Sequence, residues 1–379
     1  MILVDPDMAA DPVDRASAVL EIDLDGIVAN WRSLRARVEP AGCAAVVKAD
    51  AYGLGAGPVA EALATAGCRL FFVATLDEGI ALRRALPDAC EIAVFNGPPP
   101  GTADEFVFHR LVPVLNEPGQ IAEWARIVAR RGGLPAMLHI DTGMARLGLT
   151  RRELDVVADD PALQNAIRWR ALISHLACAD EPEHPLNEKQ RVRFIGAREL
   201  LGVAAASLAA SSGVFLGPGF HFDFVRPGAA LYGVNPQPGA RNPMRQVVRL
   251  RGRILQVREL EKGETVGYGA AHVTGQPSRL ATVAIGYADG WLRSLSHRGS
   301  GGLGGKRFPI LGRVSMDLIV LDVTSAEPSQ MQPGGFIDLL DEDYCVNAAA
   351  TDAGTIGYEI LTGLSRRCYR VYRHALSQC

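Results

Sequence analysis

The sequence AAVVKADAYG at residues 44–53 decides the fold, because a short apolar run ends there in a single lysine, Lys48. Similar runs, rich in Val, Ile and Leu, recur as far as residue 233. Their length and composition are typical of strands that are buried on both faces of a parallel sheet. Eight such runs occur, at residues 44–49, 70–75, 91–97, 111–116, 136–143, 170–178, 207–213 and 224–233.

The segments between these runs have the pattern of amphipathic helices. Residues 117–131 and 187–201 both place apolar side chains at three- and four-residue steps among Arg, Glu and Lys. Eight strands, each followed by a helix or a connecting loop, close a (β/α)8 barrel of about 250 residues. An open doubly wound sheet is the alternative, but no G-x-G-x-x-G sequence follows the first strand. The sequence therefore favours an α/β chain that begins with a TIM-type barrel.

The pattern changes after about residue 243, where helical periodicity is nearly absent until residues 355–364. The Gly-rich stretch 299–305 is interpreted as a flexible surface turn, because no strand–loop–helix context marks a phosphate loop. Gly- and Pro-rich turns separate four predicted strands, at residues 247–260, 279–287, 308–323 and 336–340.

Two domains are therefore predicted, as the length of 379 residues also favours. The first is the barrel, over residues 16–243. The second is a mainly β domain, over residues 244–379. Residues 1–15 form an extension that we expect to pack on the β domain.

Composition excludes several classes of partner and favours a cytoplasmic protein. The formal net charge is −3, and no basic run indicates a nucleic acid or an anionic membrane surface as partner. The first fifteen residues carry four aspartates and no apolar core, which argues against a secretory signal, and no apolar run is long enough to span a bilayer. The seven cysteines include no C-x-x-C pair and no zinc-like spacing, so reduced thiols and no metal are expected.

Reactive side chains cluster at the predicted carboxyl ends of the barrel strands, where TIM-type barrels collect their functional groups. These side chains are Lys48, His139, Arg146, His175, Ser211 and Arg226. Burial lowers the pKa of an amine, so a lysine at this place can serve as a nucleophile or base, for example toward an aldehyde cofactor. Position alone leaves open a lysine that merely caps the barrel mouth and reaches solvent.

The wider pattern resembles the alanine racemases, a two-domain family of fold-type III pyridoxal-phosphate enzymes. The resemblance spans nearly the whole chain and both domains. It rests on eight motifs in the order of the family, which are AVVKADAYGLG (45–55), IDTGMARLG (140–148), SHLACADE (174–181), VRPGAALYG (225–233), VGYGA (266–270), GYADGWLR (286–293), GRVSMD (312–317) and TIGYEILTGLSRR (355–367).

The resemblance implies two catalytic residues and the cofactor pyridoxal 5'-phosphate. Lys48 would hold the cofactor as an internal aldimine and act as a base on one face of the substrate α-carbon. Tyr268 would be the base on the opposite face, contributed by the partner subunit of a homodimer. Racemisation removes a proton from one side and returns one on the other, so two flanking bases suit the chemistry.

Arg226 would face the pyridine nitrogen of the cofactor. An arginine is effectively always protonated, so it does not help that nitrogen to keep a proton as a carboxylate would. The ring is then a weaker electron sink, which favours racemisation over transamination. The alternative is an arginine that only caps a strand end in a salt bridge.

The resemblance also assigns the remaining contacts of cofactor and substrate. His175 would lie against the cofactor ring. Arg146 and the Met316 N–H would hold the substrate carboxylate, and Tyr287 would border the entrance, with simple packing in the β domain as its alternative. The phosphate would be held by Tyr52, Ser211, the backbone of Gly228 and Ala229, and Tyr358.

Two positions depart from the family pattern. His139 stands where many members have a carbamylated lysine, and Ala210 stands where many have asparagine. Histidine forms no stable carbamate, so the sequence predicts that a mostly uncharged imidazole lies beside Arg146 and that bicarbonate does not affect activity. Arg146 would then pair with a carboxylate from elsewhere, with an inorganic anion such as chloride, or with the imidazole itself. The alternative is a strand histidine that has no role near Arg146.

The function predicted is the interconversion of L-alanine and D-alanine by two-base proton transfer on the cofactor's external aldimine. A racemase for serine or for several small amino acids stays open, because one methylene-sized difference changes binding by only ~1–3 kcal/mol. A fold-type III decarboxylase and a non-catalytic cofactor carrier built from a lone barrel are less favoured functions. The carrier would need neither Tyr268 nor the β domain. The use of D-alanine, in synthesis or in breakdown, also stays open.

Overall fold

In a computed structural model, which describes residues 11–374, the chain divides into two compact units. One unit comprises residues 25–245. The other combines residues 11–24 with residues 246–374. The first unit is the barrel domain and the second is the β domain.

The barrel domain is built on parallel strands that follow one another around the sheet in chain order. Ala44 N–H donates to Val225 O and Arg226 N–H donates to Ala209 O, each at 2.9 Å, so the last strand joins both the first and the seventh. The ring of eight predicted strands is thereby confirmed. Its strands are Gly42–Cys43 continuing into Ala45–Val46, then Leu70–Val73, Glu91–Val94, Val112–Leu115, Pro135–His139, Arg168–Ile173, Ala206–Ser207 and Phe224–Val225.

Helices follow the strands, and their sequences explain where they begin. Thr75 and Thr150 each form a capping box with a glutamate three residues later, which satisfies the free N–H groups of the first turn. The predicted helices 117–131 and 187–201 are confirmed. The α-helices are Leu24–Val38, Ala56–Thr65, Leu76–Ala85, Ala103–Phe108, Pro118–Arg131, Arg151–Ala158, Pro161–Ala166 and Pro185–Leu201, the 3-10 turns are Ser212–Phe215, Pro218–Phe220 and Ala229–Tyr232, and Lys48–Tyr52 is a left-handed turn.

The core of the β domain is an eight-stranded sheet around the long strand Val248–Leu260, which pairs with Ala18–Asp23, Ser278–Val283 and Phe336–Leu340. No helix within residues 11–374 has the length and apolar character that a membrane crossing needs. The further strands are Thr265–Val266, His272–Val273, Ser300–Leu303, Lys306–Pro309, Ile319–Asp322 and Tyr369–Arg373, the helices are Pro12–Arg15, Val346–Ala353 and Gly357–Gly363, and the 3-10 turns are Tyr268–Ala270, Tyr287–Asp289, Arg293–Leu295 and Pro328–Gln330.

The amino-terminal strand Ala18–Asp23 belongs to the β domain, although the predicted barrel began at residue 16. It pairs antiparallel with Val248–Leu260 and parallel with Tyr369–Arg373, and all but its last residue are buried. Just before it, Arg253 Nη2 donates to Val13 O at 2.8 Å and Arg253 Nε donates to Ala16 O at 2.9 Å. Residues 11–15 of the expected extension therefore contact the β domain, while residues 1–10 lie outside the described part.

The interpretation of residues 299–305 as a surface turn holds only for Gly304 and Gly305, which are exposed and lie in a turn, and it was wrong for Ser300–Leu303. Ser300–Leu303 is a strand whose Gly301 is buried, and a Cβ added at Gly301 would lie 2.7 Å from Leu321 Cδ1. The glycines thus let neighbouring side chains pack closely against the sheet. The strand predicted over 308–323 is also interrupted, because a loop of residues 310–318 separates Lys306–Pro309 from Ile319–Asp322.

Candidate active site

Lys48 is presented by a short left-handed turn at the end of the first barrel strand. Ala49, Asp50, Ala51 and Tyr52 all have positive φ angles, of 53°, 54°, 53° and 57°. L-residues rarely adopt this conformation in succession, so surrounding contacts have to hold it. Ala49 N–H donates to Glu78 Oε1 at 2.7 Å, and Gly53 N–H donates to Ala49 O at 2.8 Å. The turn thereby fixes the backbone next to the reactive lysine.

The surroundings of Lys48 lower the pKa of its amine. Burial lowers the pKa of Lys48, the charge of Arg146 lowers it further, and the carboxylate of Glu78 opposes this effect. The Nζ atom lies 5.9 Å from the centre of the Phe95 ring. A larger neutral fraction at neutral pH makes the amine a better nucleophile and base, as the sequence predicted.

Arg226 is a buried cation at the end of the last barrel strand, only 3% exposed. Its Nη1 donates to Ser207 O at 2.7 Å and to Ser207 Oγ, and its Nη2 donates to Ser174 O. Burial lowers its pKa to about 9, so the guanidinium keeps its charge at neutral pH. No acidic side chain of the described chain pairs with it, which disfavours the salt-bridge alternative.

His139 is held as a neutral acceptor. Its Nδ1 lies 2.8 Å from Asn116 Oδ1, and the Asn116 amide nitrogen donates to Val114 O at 2.8 Å and to Phe95 O at 2.9 Å. Because the amide oxygen only accepts, Nδ1 carries the ring proton and Nε2 keeps a lone pair. Burial, reinforced by the charges of Arg226 and Arg146, lowers the pKa of His139 to about 4.

His175 is the second uncharged imidazole. Burial lowers its pKa to about 3, and Arg226, Arg146 and Lys48 reinforce the shift in that order. The charge of Arg146 thus acts on Lys48 and on both histidines, so the loop that carries Arg146 lies near all three. Arg146 and Arg226 thus place two positive charges at this mouth of the barrel, and the carboxylates of Glu78 and Asp141 oppose them.

Ser211, Gly228 and Tyr52 come together beside this cationic cluster. Ser211 Oγ accepts from Gly228 N–H at 3.1 Å and from Ala230 N–H at 3.2 Å. A Cβ at Gly228 would lie 2.4 Å from Tyr52 Oη, so only glycine leaves room for the tyrosine. Gly228 N–H is therefore engaged by Ser211, whereas Ala229 N–H donates to no residue in the described chain.

The donor set of the barrel fits an anionic phosphorylated aldehyde. Arg146 and Arg226 supply positive charge, Lys48 supplies an amine, and a hydroxyl and a backbone N–H lie at the glycine cradle. Hydroxyls and backbone N–H groups are common phosphate donors. No group of histidine, cysteine or acidic side chains in the described residues could hold a metal ion.

The candidate residues of the β domain are exposed. Tyr268 is 71% exposed in a 3-10 turn, Met316 is 53% exposed in the loop of residues 310–318, and Tyr287 and Tyr358 are 44% and 38% exposed. Met316 O accepts from Ala288 N–H at 2.9 Å, whereas Met316 N–H has no acceptor within residues 11–374. That N–H group is available to a ligand.

Sequence reasoning missed the polar residues that position this cluster, chiefly Asn116, Ser174 and Ser207. Asn116 orients His139, and the two serines accept the hydrogen bonds of Arg226. Each of them lies in or next to a barrel strand, close to the carboxyl end of that strand. Strand-end position was therefore the available signal.

Comparison with known proteins identifies the family. The chain matches the family model of the N-terminal domain of alanine racemase over residues 22–236 and that of the C-terminal domain over residues 247–372. The chain belongs to the alanine racemase family. The alanine racemase of Rhodospirillum rubrum is 52% identical to it over 361 residues, which cover 95% of this chain and 96% of that protein.

A catabolic alanine racemase of Mesorhizobium japonicum is 48% identical over 358 residues, 94% of this chain and 93% of that protein. The crystal structure of alanine racemase from Bartonella henselae, with covalently bound pyridoxal phosphate, matches with a TM-score of 0.91 and 40% identity. That match covers 94% of this chain and 100% of that one. The predictions of an alanine racemase, of its fold and of its pyridoxal-phosphate dependence are confirmed.

Proposed function

We propose that this racemase interconverts L-alanine and D-alanine with Lys48 and Tyr268 as its two bases. The observation that carries the proposal is Lys48 itself. Its pKa is lowered at the mouth of a barrel where two arginines supply the positive charge. Pyridoxal phosphate, when bound, withdraws electrons from the substrate α-carbon and makes its proton acidic.

The barrel residues would hold the cofactor at three points. Lys48 Nζ would bind it covalently. Tyr52, Ser211 and the N–H of Ala229 would bind its phosphate together with Tyr358 of the β domain. Gly228 would serve by leaving room for Tyr52, since its own N–H is engaged by Ser211.

Arg226 would set the electronic character of the site and His175 would lie against the cofactor ring. The guanidinium of Arg226 is anchored by two carbonyl oxygens and stays protonated at neutral pH. With the cofactor bound, this cation would face the pyridine nitrogen and would disfavour its protonation, because two adjacent positive charges repel. The site then favours quick return of the proton to the α-carbon over transamination.

The substrate carboxylate would be bound by Arg146 and by Met316 N–H. His139 would act as a neutral acceptor near Arg146, where many family members carry an anion. Tyr287, nearly half exposed, would border the entrance. The phenol of Tyr268 would hold or release the proton on the face opposite Lys48.

We also infer a homodimer in which each active site takes Tyr268 from the partner subunit. Tyr268, Tyr287, Met316 and Tyr358 are large side chains left exposed on the β domain. Beside Tyr268 lies a groove of about 640 Å³ that includes Arg313 and Leu318. A cytoplasmic location is supported by the six cysteines of the described chain, all of which are free thiols.

The deciding experiment is incubation with pure L-alanine and chiral chromatography of the product. Equal amounts of L- and D-alanine at equilibrium support the proposal. Conversion of serine at a comparable kcat/KM would indicate the broader racemase. Release of carbon dioxide would indicate a decarboxylase, and the absence of any turnover by the cofactor-loaded protein would indicate a carrier.

A further inference from the structure

Asp289 is a carboxylate of the β domain that the proposed mechanism does not use, yet it is only 3% exposed. It ends the 3-10 turn Tyr287–Asp289, next to the candidate entrance tyrosine. A buried carboxylate is costly to keep unless it has strong partners, so its contacts indicate what it stabilises.

Those contacts join Asp289 to two other segments. Its Oδ2 accepts from Gly286 N–H at 2.8 Å, and its Oδ1 lies 3.1 Å from Arg367 Nε. Arg367 Nη1 in turn donates to Asp317 Oδ1 at 2.7 Å. One arginine therefore bridges the turn that carries Tyr287 and the loop that carries Met316.

The backbone reinforces the same bridge. Tyr287 N–H donates to Ser315 O at 3.0 Å and Ala288 N–H donates to Met316 O at 2.9 Å. A Cβ at Gly286 would lie 2.3 Å from Ser315 O, so the two segments are in closest contact there. The Ser315 carbonyl shares a peptide plane with the Met316 N–H, so the hydrogen bond from Tyr287 N–H fixes the orientation of that plane.

A third segment is attached through the Asp289 backbone. Ser365 N–H donates to Asp289 O at 3.0 Å. A Cβ at Gly290 would lie 2.1 Å from Gly363 O, at the end of the helix that carries Tyr358. The turn around Asp289 therefore contacts every segment of the β domain that bears a candidate substrate or phosphate residue, apart from the turn of Tyr268.

We propose that Asp289, Arg367 and Asp317 form an ionic clamp whose role is to position the Met316 N–H for the substrate carboxylate. The three are positioning residues, because none of them is assigned to touch the substrate. This inference rests on the proposed function. Loss of the clamp should weaken carboxylate binding more than proton transfer, since the two bases are not part of it.

Asp289→Asn tests the clamp, because it keeps the size of the side chain and removes its charge. We expect the KM for both alanine enantiomers to rise about tenfold while kcat changes less than about threefold. Propionate keeps the carboxylate of alanine and lacks its amine. Its dissociation constant, measured by calorimetry on the cofactor-loaded protein, should rise by the same factor.

Asp341→Asn is the matched control. Asp341 accepts from Tyr344 N–H at 2.7 Å and pairs with Arg307 at 2.8 Å, so it also combines a backbone bond with an arginine. It should leave the KM and the propionate affinity unchanged. If Asp289→Asn behaves like this control, or lowers kcat at unchanged KM, the inference is overturned.

Arg367→Gln and Asp317→Asn each remove a charge of one exposed clamp residue, and they test the clamp if Asp289→Asn does not fold. Both should raise the KM with little change in kcat, and normal values in both would overturn the clamp. Combined with Asp289→Asn, Arg367→Gln should add little, because residues of one network are not additive. A wild-type protein that racemises no alanine would instead refute the proposed function.

Discussion

The two domains contribute side chains of opposite character to the proposed site. In the barrel, Arg226 and Ser211 are buried, and neighbours of the same domain form hydrogen bonds with Arg226, Ser211 and His139. In the β domain, Tyr268 and Met316 are more than half exposed. The barrel groups are thus held in place before any ligand binds, whereas the side chains of Tyr268 and Met316 remain largely exposed to solvent.

This difference separates two tasks of a racemase. Holding a cofactor benefits from rigid groups with few accessible conformations. The proposed second base acts on the opposite face of the substrate, and the exposed Tyr268 is the residue proposed for that role. Variants in the barrel should therefore affect cofactor binding, and variants in the β domain should affect turnover with the cofactor still bound.

Lys48→Ala should produce the largest loss, at least about 10⁴-fold in kcat/KM, because it removes both the covalent attachment and one base. Borohydride reduction of the wild-type protein followed by peptide mass spectrometry should place the cofactor on Lys48. The chain has only three other lysines, Lys189, Lys262 and Lys306. Lys189→Ala, on an exposed position, is the control, and an adduct on any of the three would refute the assignment.

Tyr268→Phe should lower racemisation about 10²- to 10⁴-fold while the absorbance of the bound cofactor stays normal. In deuterated water one enantiomer should still exchange its α-proton without inverting, since the base on the other face is intact. Equal loss of exchange for both enantiomers would contradict a two-base site.

Mixing Lys48→Ala and Tyr268→Phe chains tests whether the two bases come from different subunits. Random pairing makes half of the dimers mixed, each with one intact site, so about a quarter of the wild-type activity should return. Verified mixed dimers without activity would place both bases in the same chain.

Gly228→Ala should weaken cofactor binding about ten- to a hundredfold, because overpacking at this contact costs about 1–3 kcal/mol. Adding Tyr52→Phe removes the atom that the new Cβ would meet at 2.4 Å and should restore part of the packing. Gly196→Ala, where a Cβ meets nothing within 4 Å, is the control for folding. Spectroscopic titration with cofactor gives the affinities, and normal affinity in Gly228→Ala would count against the cradle.

His139→Gln should have the smallest effect, a change in the acid dependence of stability. The pKa of His139 in the folded protein is about 4, below the usual value of 6.5, so the unfolded chain binds the proton more readily between these values. The stabilisation is complete above pH 6.5 and is lost as the pH falls toward 4. At pH 5.5 the unfolding free energy of the wild type should therefore be about 1 kcal/mol lower than its value well above pH 6.5.

His139→Gln should lack the fall in unfolding free energy between pH 6.5 and pH 4, which denaturant titration measures. The exposed His297→Gln serves as control. Activity of the wild type should be the same with and without bicarbonate. A bicarbonate requirement, or equal slopes in wild type and His139→Gln, would refute the neutral acceptor.

The barrel was predictable because each strand is a short apolar run bounded by polar segments. The predicted strands extend several residues beyond the observed carboxyl ends, because the chain stays apolar there. At residues 174–178 and 208–213 apolar side chains continue past the sheet, so hydrophobicity alone does not mark the end of a strand. Lys48, His139 and Arg226 nevertheless lie at the carboxyl ends of the barrel strands, where the sequence predicted them.

The missed features depend on contacts far apart in the chain. Gly301 lies in a strand because Leu321 and Ile337 fill the space beside it, which no local pattern indicates. Asn116 became part of the site because strand order brings it next to His139. The clamp of Asp289 likewise links residues 28 and 78 positions further along the chain, beyond the reach of periodicity.

The turn after Lys48 has a consequence for protein chemistry. Ala49 to Tyr52 form the mirror image of an ordinary helical turn, a conformation that costs an L-residue about 1–2 kcal/mol and that a D-residue adopts freely. A semisynthetic chain with D-alanine at the exposed Ala49 should therefore be more stable than the natural one, the reverse of the effect in a right-handed helix. The backbone next to the lysine of this racemase thus has a conformation that suits D-residues, and one product of the enzyme is a D-amino acid.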